Sequence, residues 1–109
     1  MKRGDIVSVV VPGAYGKPRP ALVIQSVLFA EHPSQTICLL TTHQRETPLF
    51  RYAIEPAPLN GLQEVSHVQI DKIMTVPSER IGSVIGRLTD TQMLEITRLL
   101  ALWVGIADK

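Results

Sequence analysis

The sequence predicts a mainly β fold: an antiparallel sheet curled into a small barrel, with a minor α component in one C-terminal α-helix. Three observations carry this. Short runs rich in β-branched residues follow one another up to about residue 86, punctuated by proline and glycine. No helical pattern separates the early runs, which argues for antiparallel neighbours rather than βαβ crossovers. A capping box followed by helical spacing begins at Thr89.

The first strand is expected over Ile6–Val11, a valine-rich run. Pro12 to Pro18 holds two glycines and two prolines and reads as a loop. Pro20–Gln25 is apolar on both faces, as a central strand is. Thr36–Thr42 and Leu49–Glu55 are the third and fourth strands. In the third, alternation sets Cys38 and Leu40 against Ile37 and Leu39. Pro56 to Glu64 is a loop in which Asn60-Gly61 is a tight-turn dipeptide. Val65–Val76 is a long strand. Simple alternation places Val68, Ile70, Met74 and Val76 on one face and His67, Gln69, Asp71, Ile73 and Thr75 on the other. Ile81–Ile85 is a short last strand. In the helix, Thr89 caps, Gln92 reaches back, Leu88 and Met93 take the staple positions, and Met93, Ile96, Leu100, Trp103 and Ala107 follow helical spacing. Leu99, Leu102, Val104 and Ile106 make its end apolar on further faces, so either it docks fully or a partner covers it.

Composition narrows the function. The 109 residues suit one domain, expected to span 1–109. A 45% hydrophobic share with 19% charged residues is ordinary for a globular protein and argues against a disordered chain. The net charge of +1 is too small to coat nucleic acid by bulk charge. Its distribution is uneven: residues 1–54 carry +3 and residues 55–109 carry −2, which permits an anionic ligand on the N-terminal half. Cys38, the single cysteine, lies in the apolar run Thr36-Ile-Cys-Leu-Leu40 and is expected to be buried and inert. It rules out an internal disulfide and a multi-thiolate zinc site. No residues show metal-ligand spacing, and no phosphate loop or nucleophile elbow is present, so neither a metal nor another cofactor is expected. The longest apolar run, nine residues from Leu99 to Ala107, falls short of the roughly 20 that span a membrane. Asp5 and Pro12 interrupt any N-terminal signal segment. An intracellular protein with no membrane partner is expected.

Three places hold candidate chemistry. Arg19 is clamped between Pro18 and Pro20 at the mouth of the second strand. The prolines hold its backbone extended, so its guanidinium either forks onto a phosphate or pairs with a core carboxylate. Lys17 adds a charge nearby. At the end of the third strand, Thr41, Thr42 and His43 either satisfy backbone groups or hold a phosphate oxygen. The row His67, Gln69, Asp71 on the long strand is a solvated face or a binding face.

Taken together, Arg3-Gly4-Asp5-Ile6-Val7, the Lys-Pro-Arg-Pro segment within Gly16 to Ile24, and Asp71 to Val76 followed by Arg80-Ile81-Gly82 resemble the MazF/PemK (Kid) toxin family. The resemblance runs from about residue 3 to the C-terminal helix. It implies an SH3-like barrel of the CcdB/MazF type, a homodimer, and a cytoplasmic toxin of a type II toxin–antitoxin system. The implied activity is a metal-independent endoribonuclease, an mRNA interferase, that cuts single-stranded mRNA and is blocked by a cognate antitoxin protein. The implied catalytic residues are Arg19 on the scissile phosphate, Thr42 on a phosphate oxygen with Thr41 one residue away, and Asp71 taking the 2′-hydroxyl proton. Gln69 stands where the PemK/Kid branch has an arginine, which moves weight to Arg19. Tyr15 is the nearest candidate for that branch's early-loop histidine. Tyr15, Lys17, Thr41, His43, Ser66, His67 and Gln69 are the implied RNA contacts. The alternatives are a CcdB-type gyrase-poisoning toxin and a binding relative that does not cut.

Overall fold

The computed structural model describes residues 1–13, 16–43, 49–106 and 108. Its elements are β1 (Asp5–Val10), β2 (Pro18–Val23), β3 (Ser34–Thr41), β4 (Arg51–Ile54), β5 (Ser66–Pro77), β6 (Ile81–Arg87) and α1 (Asp90–Val104). Short 3₁₀ turns lie at Val27–Phe29 and Ser78–Arg80. The strands form one antiparallel sheet in the order β4-β5-β3-β2-β1-β6, with β4 and β6 as its edges. Every expected strand is present, with ends shifted by two residues or fewer. No helix among the described residues is long and apolar enough to cross a membrane.

Alternation sends apolar side chains to both faces of the sheet. On one face Ile6, Leu22, Cys38, Leu40, Ile54, Val68 and Ile70 pack beneath α1, which inserts Ile96. On the other, Val7, Val9, Ala21, Val23, Ile37 and Val76 are buried with no helix over them among the described residues. Burial on this second face is what a sheet curled on itself produces, the barrel character of the expected fold, while β4 and β6 remain its edges.

The long strand departs from simple alternation. Residues 73–77 pair with β3 in one register and residues 67–68 in another, with the shift falling between Cys38 and Leu40. Four residues of β5, Gln69 to Lys72, therefore stand opposite Leu39 alone. Such a bulge reverses the phase of the side chains. Val68, Ile70 and Ile73 accordingly share the helix-side cluster, while Met74 and Val76 join the opposite one. The single apolar face expected for Val68 to Val76 is corrected by this shift.

The helix starts where the capping box predicts. Thr89 Oγ1 accepts from Gln92 N at 3.1 Å, and Gln92 Oε1 accepts from Thr89 N at 2.9 Å. Gly105, at φ 76°, ends it in the left-handed region that glycine tolerates best. Its last turn is not fully docked: Leu102, Trp103, Val104 and Ile106 are exposed.

Candidate active site

A groove opens where β2 and β3 part. Their pairing stops at Ala21↔Leu39, although β2 continues back to Pro18 and β3 onward to Thr41. The prolines explain the stop. Pro18 and Pro20 lack the N–H that a second neighbour would need, so among the described residues this half of β2 is laddered only to β1.

Arg19 projects into the gap thus formed. It pairs with Val9 on β1 and is exposed. It is in no ion pair among the described residues, so the core-carboxylate reading is not realised there. Arg19, Leu40 and Thr41 line two adjoining pockets. The larger, of about 340 Å³, adds Val11, Pro12, Gly13, Leu39 and Gln69. The smaller, of about 170 Å³, adds Pro20, Thr42 and Ser66. By alternation Arg19, Leu39 and Thr41 lie on the face of the second apolar cluster, so the larger pocket is the mouth of the curled sheet.

The threonines differ. Thr41 is half-buried at the end of β3, and its Oγ1 accepts from His43 N at 3.1 Å, with its own proton donated to no described residue. Thr42 is exposed one residue beyond the strand. Ser66 is buried and donates to Glu64 O at 3.1 Å.

Gln69 and Asp71 meet a residue that was not anticipated. Arg51 of β4 sits directly opposite Gln69 in the ladder. Its Nη1 donates to Gln69 Oε1 at 2.7 Å and its Nη2 to Asp71 Oδ2 at 3.1 Å. The Arg51 side chain is 5% exposed and that of Asp71 17%. Arg51 Nε and Asp71 Oδ1 are buried without a partner among the described residues. Gln69 Nε2 donates, at a long 3.4 Å, to the carbonyl of Leu39, the residue that faces the bulge. A chemical signal for Arg51 existed, since it is an arginine within an apolar strand. Its partner depends on cross-strand register, which the local pattern does not contain.

Arg19, Thr41, Thr42, Ser66 and Gln69 thus come together. His67 is buried opposite Thr41 but lines neither pocket, and exposed Lys17 and His43 also stand outside them. Asp71 reaches the groove through Arg51 and Gln69. Tyr15 lies outside the described residues.

Residues 2–104 match the family described as the PemK-like, MazF-like toxin of type II toxin–antitoxin systems. The chain belongs to the MazF/PemK toxin family. It is 44% identical over 108 residues to the probable endoribonuclease MazF of Mycolicibacterium smegmatis, covering 98% of this chain and 99% of that protein. Two solved mycobacterial structures share its fold. The Mycobacterium tuberculosis toxin MazF-mt6 superposes with a TM-score of 0.80 at 22% identity, over 93% of this chain and 96% of the other. An endoribonuclease in complex with its cognate antitoxin, from a mycobacterial species, gives 0.79 at 23% identity, over 97% and 96%. Within the MazF/PemK fold, this chain's groove is built by a proline-braced arginine, a strand-end threonine pair and a glutamine held by a buried ion pair.

Proposed function

We propose that this MazF-family endoribonuclease toxin cuts single-stranded mRNA without a metal, by attack of the substrate's own 2′-hydroxyl. One observation carries the reading: Arg19 and the Thr41–Thr42 pair share a groove, with the guanidinium in no ion pair among the described residues. A guanidinium and hydroxyls together match the oxygens of a phosphodiester. The substrate supplies the nucleophile, so the protein needs no serine or cysteine of its own.

The proposed step follows from positioning and charge. The 2′-oxygen forms a bond to phosphorus as it loses its proton. The bond from phosphorus to the 5′-oxygen breaks, and that oxygen takes up a proton. The products are a 2′,3′-cyclic phosphate and a 5′-hydroxyl. Arg19 binds the charge that builds on the phosphorane, and Thr42 donates to a non-bridging oxygen with Thr41 beside it. Asp71 takes the 2′-proton through Oδ1, the oxygen its pair with Arg51 leaves over. RNA binding must open that oxygen, which is buried in the free chain.

The toxin acts in the cytoplasm as a single domain over residues 1–109, forms a homodimer and is held in check by a cognate antitoxin. Ser66 in the groove, with Lys17, His43, His67 and Tyr15, supplies the further RNA contacts of this reading. The test is incubation with a long single-stranded RNA in EDTA, with mapping of the cut ends. Discrete cuts that leave 5′-hydroxyl ends are expected. Arg19→Ala is expected to stay folded and to lose about 10² to 10³ in rate, the usual effect of removing one donor to a developing oxyanion. Intact RNA across many substrates overturns the reading and points to gyrase poisoning or a non-cutting relative. Retained cleavage in folded Arg19→Ala removes Arg19 from the mechanism.

A further inference from the structure

We infer that Arg51 is a positioning residue: anchored by Asp71, its guanidinium holds the Gln69 amide so that Gln69 reads an RNA base in the groove. The inference rests on the endoribonuclease reading and adds a specificity element to the same site.

The amide orientation follows from its neighbours. A guanidinium only donates, so Gln69 must turn Oε1 toward Arg51 Nη1, 2.7 Å away. A backbone carbonyl only accepts, so Nε2 must face Leu39 O. Both contacts demand the same orientation of the amide. Each uses half of the atom's capacity. Among the described residues, one N–H and one acceptor lone pair remain on Gln69, which lines the larger pocket with Arg19 and Thr41. An adjacent donor and acceptor suit the edge of a base. A phosphate, which only accepts, would use the donor alone.

Arg51 itself does not line either pocket. Its burial with Asp71 is not explained by stability, because an apolar pair of similar volume commonly does as well as a buried ion pair. Its fork, by contrast, spans two acceptors on β5 at once, which a lysine cannot do with the same planarity. The bulge opposite Leu39 supplies the remaining piece, by leaving a backbone carbonyl for Nε2.

The test compares cut-site sequences of the wild-type protein, Gln69→Leu, Arg51→Lys, Arg51→Met and the pair Gln69→Leu with Arg51→Met. Folding is checked by circular dichroism. Gln69→Leu is expected to relax preference at one nucleotide position, with discrimination falling on the order of ten- to a hundredfold. The Arg51 variants are expected to relax the same position, and the double variant to add nothing further. Loss of rate with an unchanged cut-site pattern places Arg51 with proton transfer and overturns the inference. An unchanged pattern in Gln69→Leu overturns it too, even if both Arg51 variants fail to fold. A wild-type protein that cuts no RNA overturns the endoribonuclease reading beneath it.

Discussion

Cys38 and Asp71 show how burial decides what a reactive side chain does. Cys38 lies fully buried in β3, and burial, followed by the nearby charge of Asp71, pushes its pKa up from 9.0 to about 12. It stays a neutral thiol at physiological pH and so is a poor nucleophile. A disulfide reagent is expected to label it only as fast as the chain unfolds; rapid labelling of folded protein would contradict this. The sign of the linked pH effect is set by the same shift. A thiol whose pKa is raised on folding contributes stability that is complete below pH 9.0 and lost as pH rises toward about 12. Tyr52 adds to the same alkaline loss, since burial and then its 2.5 Å hydrogen bond to Glu95 raise it from 10.0 to about 12. Cys38→Ala is therefore expected to flatten the fall in melting temperature above pH 9.0. Asp71→Asn should lower kcat more than KM, because an amide cannot take the 2′-proton; an unchanged kcat would leave Asp71 as an anchor for Arg51 only.

Two elements depend on local chemistry that can be tested singly. The Thr89–Gln92 box satisfies donors at the start of α1, and Thr89→Ala is expected to cost about 1 kcal/mol by chemical denaturation. A change within error would mean that packing of Ile96 alone holds the helix. The loop between β4 and β5 works differently. Asn60 is buried and its side chain bonds Ala57 N, Leu62 N and Glu55 O. Gly86 of β6 lies beneath it so closely that an added Cβ would fall 2.4 Å from the Asn60 backbone. Gly86→Ala is expected to destabilise by about 1–3 kcal/mol through overpacking, visible as a lowered denaturation midpoint. The Asn-Gly dipeptide announced a turn from sequence. That the turn is clamped onto the last strand was not legible, because nothing local to either segment names the other.

At the scale of the whole molecule, the end of α1 leaves Leu102 59% and Ile106 69% exposed. Apolar side chains gathered at one end favour a partner over water. Light scattering is expected to return twice the 12.0 kDa chain mass, and a persistent monomer would overturn the proposed homodimer. Leu102→Asp with Ile106→Asp assigns the face: loss of the dimer makes it the subunit contact, and loss of antitoxin protection with the dimer intact makes it the antitoxin groove. The sequence by itself determined the strands, the capped helix, the buried Cys38 and the Arg19 and Thr41–Thr42 pieces of the groove. These rest on short-range rules: β-branched runs, capping hydroxyls, and prolines that hold the backbone on either side of Arg19 extended. Tertiary structure decided the rest. The bulge in β5 moved Ile73 to the helix side and opened Leu39 to Gln69, and the β4–β5 register brought Arg51 onto Gln69 and Asp71. Register depends on how whole strands match across the sheet, so a charge read as missing at residue 69 arrives from a strand 18 residues earlier.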